Sequence, residues 1–84
     1  MSAREFNQML FNLSNKTSNY TYSSLAIAYS NKLDIYEYMN SLRHVHNNYS
    51  ATVLSICECL LRGNEIKALE LIKYYNKEWE LLNG

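Results

Sequence analysis

Apolar side chains recur three and four residues apart along most of this chain, which is the period of a helix and not of a strand. Phe6, Met9, Leu10 and Leu13 fall at i, i+3, i+4 and i+7 and predict a first helix over about residues 3–13. Ser2 and Glu5 have the spacing of a capping box at its start, each side chain serving a free amide of the first turn. Phe11 points away from that apolar face. The run from Ser14 to Asn19 is polar throughout and predicts a joint.

A second helix is expected over about 20–31, with Tyr22, Leu25, Ala26 and Tyr29 on one face and Ile27 opposed to them. No charged residue occurs from Thr17 to Asn31, so this helix is expected to be covered on more than one side. Tyr20-Thr21-Tyr22 would also suit a strand, but no second run offers it a pairing partner.

Asn31-Lys32-Leu33 reads as a tight turn. Asp34 then caps a third helix, with Glu37 completing a second box and Ile35, Tyr38, Met39 and Leu42 forming its stripe. That helix is expected to fray over Arg43–Asn48. A fourth helix, about 49–62, has the widest apolar arc: Tyr49, Val53, Leu54, Ile56, Cys57, Leu60 and Leu61 span about 160°, with Leu60 at its middle. It is predicted to be the central and most buried helix.

Gly63 ends that helix by taking the left-handed conformation, and Asn64 caps the next. The last helix, about 65–82, carries Ala68, Leu71, Ile72, Tyr75, Trp79 and Leu82 within about 100°. The fold class that follows is all-α: a compact bundle of four to five short helices in one domain over 1–84, an N-terminal helix followed by two α-hairpins.

The two hairpins repeat weakly. Tyr22, Leu25, Ala26 and Tyr29 map onto Val53, Ile56, Cys57 and Leu60 with an offset of about 31, and Ile35, Tyr38, Met39 and Leu42 onto Ala68, Leu71, Ile72 and Tyr75 with an offset of about 33. The Gly63-Asn64 turn followed by Ala68 and Ile72 resembles the middle of a tetratricopeptide-type hairpin. The aromatic and small residues of that pattern are replaced in the preceding helix, where Thr52, Ser55 and Ile56 stand. The resemblance implies shared architecture, either half a solenoid or a compact bundle, and carries over no functional residue.

Composition narrows the function. The chain has 84 residues, 48% hydrophobic and 13% aromatic, enough apolar material for a small core but not for a large one. Eight Lys and Arg balance eight Asp and Glu, so the formal net charge is zero. A protein that lives on phosphate backbones or anionic membranes usually carries a basic excess, so nucleic acid and membrane partners are not expected. No apolar run is long enough to span a bilayer, and the N-terminus lacks the apolar core of a secretory signal.

Two closely spaced cysteines make no disulfide framework, so a reducing, cytoplasmic setting is expected. The sequons at Asn12, Asn15, Asn19 and Asn48 are read as coincidence in an Asn-rich chain. Abundant Asn, Tyr, Ile and Lys with no Pro is a bias that often accompanies AT-rich coding DNA, as in phages and low-GC bacteria.

The chemistry-bearing residues fall short of a site. Cys57 and Cys59, two apart on a helix, project about 200° from one another and cannot clasp one ion. Cys57 is expected to be a buried hydrophobe. His44 and His46 fail by the same geometry, with His46 placed on the apolar side. No phosphate loop, paired carboxylates or hydrolytic triad emerges, so no enzyme activity, metal or cofactor is expected.

What remains is a surplus of large apolar residues off the core stripes: Phe11, Ile27, Tyr74 and Leu81, the last two on one strip of the final helix. They predict a non-enzymatic protein-binding module, a small adaptor or inhibitor, with a partner protein or a second copy of the chain as a homodimer. One version is an inhibitor encoded by a phage or other mobile element and acting on a host protein. The alternative is a small helix-turn-helix-type nucleic-acid-binding regulator, whose recognition helix would begin at Asn47–Thr52.

Overall fold

The computed structural model describes residues 3–83; the Ser2 half of the first capping box lies outside them. Among the described residues there are five helices and no strand: α1 (Ala3–Thr17), α2 (Thr21–Ser30), α3 (Ile35–Leu42), α4 (Ser50–Leu61) and α5 (Glu65–Asn83). Their order and approximate bounds follow the apolar periodicity, with one clear exception. The first helix does not stop at Leu13 but runs one turn further through the polar joint. Ser14 is buried there, donating from Oγ to the Asn19 carbonyl at 2.7 Å and lying 3.1 Å from Ser23 Oγ. Thr17 Oγ1 donates back to the Leu13 carbonyl, and Lys16 reaches Asn76 and Glu80 on α5. Contacts with α2 and α5 therefore hold a turn that its own composition would release.

Three of the four connections use the same device. In each, one residue after the helix takes a positive φ: Ser18 at 53°, Lys32 at 56° and Gly63 at 72°. The next amide then reaches back five residues, Asn19 N to Ser14 O, Leu33 N to Ala28 O and Asn64 N to Cys59 O. Each is a Schellman motif, which satisfies carbonyls that a helix end leaves free. The following helices start on side-chain caps: Asn19 Oδ1 accepts from Thr21 N, Asp34 Oδ1 from Tyr36 N and Asn64 Oδ1 from Lys67 N.

One core unites all five helices. Phe6, Leu10 and Leu13 of α1 meet Tyr22, Leu25 and Ala26 of α2, Met39 and Leu42 of α3, Val53, Ile56 and Cys57 of α4, and Ala68 and Ile72 of α5. α1 packs closely along α2, α4 packs on α2, α3 and α5, and α5 returns to touch α1. In a solenoid each hairpin touches only its neighbours. The α1–α5 contact closes the ring, so the chain is a bundle with α3 laid against α2 and α4. Its radius of gyration, 11.8 Å, is about what a compact chain of this length gives.

Two expectations about depth change. α4 is central, but α2 is enclosed at least as well: five of its ten residues are buried, against four of twelve on α4. Ala26 and Ala28 let neighbouring backbones come close, and a helix without charges has no side chain that must reach water. On α4 the deepest positions are Val53, Ile56 and Cys57, while Leu60 is half-buried and Leu61 exposed. The wide apolar arc is real, but its neighbours cover only the side that begins at Tyr49 and Val53.

Candidate functional site

The residues with reactive side chains are placed apart. Cys57 lies in the core and Cys59 is half-buried on another side of α4. Burial pushes the Cys57 thiol up to about 12, which makes it a poor nucleophile or ligand. His44 and His46 both sit in the exposed turn after α3. His46 is thus not on an apolar helix face, because the helix has already ended at Leu42 and its phase no longer applies. Among the described residues no group of three or more His, Cys, Asp or Glu stands close enough to hold a metal ion. No described helix is long and apolar enough to cross a membrane.

The four residues singled out from sequence are all exposed: Phe11 39%, Ile27 52%, Tyr74 61% and Leu81 78%. They do not converge on one pocket. Phe11 lies on α1 and Ile27 on α2, while Tyr74 and Leu81 share the outer strip of α5, where the Tyr74 ring meets Tyr75 edge-on at 5.7 Å. The larger surprise is on the adjacent face of the same helix. Trp79 and Leu82 belong to the predicted core stripe, yet Trp79 is only half-buried and Leu82 is 77% exposed. The buried residues of α5 are Ala68 and Ile72, both in its first half.

That unfinished stripe lines a cleft of about 310 Å³. Tyr75, Glu78, Trp79 and Leu82, at i, i+3, i+4 and i+7, supply one wall. The facing wall is built where three helices end or begin: Leu13 and Thr17 from α1, Tyr22 from α2, and Tyr49 and Thr52 at the start of α4. Tyr22 is the floor. Its ring lies 5.6 Å from that of Tyr49, tilted by 51°, and its hydroxyl is 2.9 Å from Thr52 Oγ1.

The cleft lining includes the Glu78 carboxylate and no Lys or Arg, and no ion pair joins Glu78 to another described residue. The hydroxyls of Tyr22 and Tyr75 are harder to ionise than usual because burial disfavours the phenolate, an effect that hydrogen bonds with Thr52 and Ser55 partly offset and to which Glu78 adds less. Two other depressions are less defined. One lies along the α3–α4 turn between Leu42 and Leu54, the other between Ala3 and Ile35.

No protein-family model, curated protein or solved structure matches this chain.

Sequence reading assigned Tyr75 and Trp79 to the core and so passed over this cleft. A signal was present: Glu78 flanks the arc of Tyr75, Trp79 and Leu82, about 40° beyond Leu82, and a carboxylate that close to the stripe marks an edge that meets water.

Proposed function

We propose that this chain is a non-enzymatic protein-binding module, an adaptor or inhibitor, that meets its partner through the C-terminal half of α5. One observation carries the reading. Beyond Ile72 the helix holds Tyr74, Leu81 and Leu82, all exposed, and Tyr75 and Trp79, which are half-buried, Tyr75 against the edge of the core. Single exposed aromatics are ordinary, but a concentration of large apolar side chains on one helix segment is the composition of a contact surface. Tyr and Trp supply much contact area with few rotors to immobilise. The neutral net charge favours association with protein over nucleic acid.

The helix-turn-helix alternative draws less support. Ser50 is buried and donates to the Val45 carbonyl, Thr52 is bonded to Tyr22 and to the Tyr49 carbonyl, and Asn47 donates to Thr21. These groups would have to be free to read base edges.

The test is a pull-down from the native host with the wild type and with Tyr74→Ala/Leu81→Ser as baits, alongside sedimentation and thermal melting of each. Helix content and melting temperature should be unchanged, because both side chains face water. Partner recovery, or self-association if the partner is a second copy, should drop in the double variant. Equal recovery and a monomer in both cases would remove the outer strip of α5 from the reading, and retention on heparin at low salt would favour the nucleic-acid class.

A further inference from the structure

We propose that the cleft between α5 and the start of α4 receives the alkylammonium end of a lysine side chain, plain or N-methylated, presented by the protein partner. The inference rests on the protein-binding reading and adds the chemistry of one contact. Aromatic walls and a carboxylate together are what an ammonium group needs. Ring faces are negative and attract a cation within about 6 Å, and tyrosine and tryptophan do so well. Tyr49, Tyr75 and Trp79 stand half-buried around the opening, over the ring of Tyr22.

Glu78 supplies the formal charge. It lines the same cleft as Tyr22, Tyr49, Tyr75 and Trp79, one helical turn from Tyr75 and Leu82. No Lys or Arg of the chain lines the cleft, and the cation nearest the C-terminal part of α1, Lys16, is already held by Asn76 and Glu80 outside it. The exposed Glu78 carboxylate at the cleft therefore has no partner cation among the described residues.

The apolar residues argue for an aliphatic stem behind the cation. Leu82 lies exposed at the rim and Trp79 half-exposed beside it, so a bare metal ion or a free ammonium ion would leave them unused. A lysine buries its methylene stem on such surface while its head finds the charge. An anionic or neutral apolar group would instead meet Glu78 with repulsion or with a desolvation penalty.

Trp79 is the one tryptophan of the chain, so its emission reports on this cleft alone. The probes are N-acetyl-lysine methylamide, its trimethylated form, the norleucine analogue with the same stem and no charge, and choline as a free ammonium. Both lysine compounds should shift Trp79 emission saturably, and the norleucine analogue should not at the same concentrations. Glu78→Gln, a change at an exposed position, should weaken the response by roughly 3- to 10-fold, the scale of one partly exposed charge contact. A norleucine response equal to lysine, or an unchanged affinity in Glu78→Gln, would overturn the proposal. So would a choline response with none from either lysine compound, since the cleft would then take a free cation. Partner capture that survives Glu78→Gln while the cation response is absent would count against this contact and leave the protein-binding reading standing.

Discussion

Cys57 shows how burial alone assigns a residue its role. The thiol is fully enclosed on α4 and its proton is held until about pH 12, well above the ordinary value of 9.0. In the unfolded chain the same thiol ionises near 9, so between these values the unfolded state binds fewer protons than the native one. A raised native value means stability that is intact below about pH 9 and lost as pH rises toward 12. Unfolding free energies from urea titrations should be level up to about pH 8.5 and then fall, with a slope approaching about 1.4 kcal/mol per pH unit for this one group. Tyr22 and Tyr38, also raised by burial, add to the fall at the alkaline end. Cys57→Ala should lower stability at neutral pH by leaving a small void, yet flatten the profile between pH 9 and 10. An unchanged slope in that variant would assign the alkaline loss to other groups. Cys59, half-buried, has no comparable protection, and the two thiols should label at different rates.

The turns between helices are decided by backbone conformation. Ser18 and Lys32 occupy the left-handed position of a Schellman motif, a place where an L side chain crowds its own backbone and glycine does not. Gly63 fills the same position after α4, and a Cβ built there meets nothing within 4 Å. Any cost of Gly63→Ala thus comes from φ and not from a clash. Ser18→Gly and Lys32→Gly should each raise stability by about 0.5–1 kcal/mol, and Gly63→Ala should lower it by about 1 kcal/mol. Chemical denaturation of the three variants checks this. A loss at Lys32→Gly would mean the lysine side chain holds the turn in some other way. The Gly63 stop is legible in the sequence because glycine announces it. The turn at Asn31–Leu33 is legible too, but not the positive φ of Lys32, and the stop at Ser18 is not, since serine and lysine take positive φ only where the helices on either side dictate the turn.

At the scale of the whole molecule, burial is uneven. α2 and α4 are each packed against three other helices, while α5 is anchored by Ala68 and Ile72 and thereafter held by Tyr75 at the edge of the core and by Lys16 bonded to Asn76 and Glu80. A surface ion pair is worth at most about 1 kcal/mol. Local stability should follow this gradient. Amides of Leu25, Ala26, Val53 and Ile56 should exchange with solvent only through global unfolding, and amides from Lys77 to Asn83 by local fraying. Native-state hydrogen exchange at increasing denaturant separates the two classes. Uniform protection along α5 would show that its second half is held by more than the bundle provides. An addition of partner that slows exchange in Lys77–Asn83 alone would locate the contact on this segment.

Much of this architecture is local and was therefore readable without coordinates. The five helices, their core stripes in the first four, the Asp34 and Asn64 caps and the Gly63 stop all follow from periodicity and from the chemistry of helix ends, which involve residues a few positions apart. The exposure of Phe11, Ile27, Tyr74 and Leu81 followed from the same phase. What tertiary structure decided is which apolar residue finds a cover. Ile56 is enclosed and Leu60 is not, although both lie on one arc. Ser14 is buried in a stretch that reads as a polar joint, because Asn19 and Ser23 come back to it. Trp79 and Leu82 continue the stripe of Ala68 and Ile72 but are not enclosed, since α1 reaches this part of α5 mainly through Lys16 and leaves a cleft beside it. Helical phase says which way a side chain points; only the lengths and closure of the other helices determine whether anything is there to meet it.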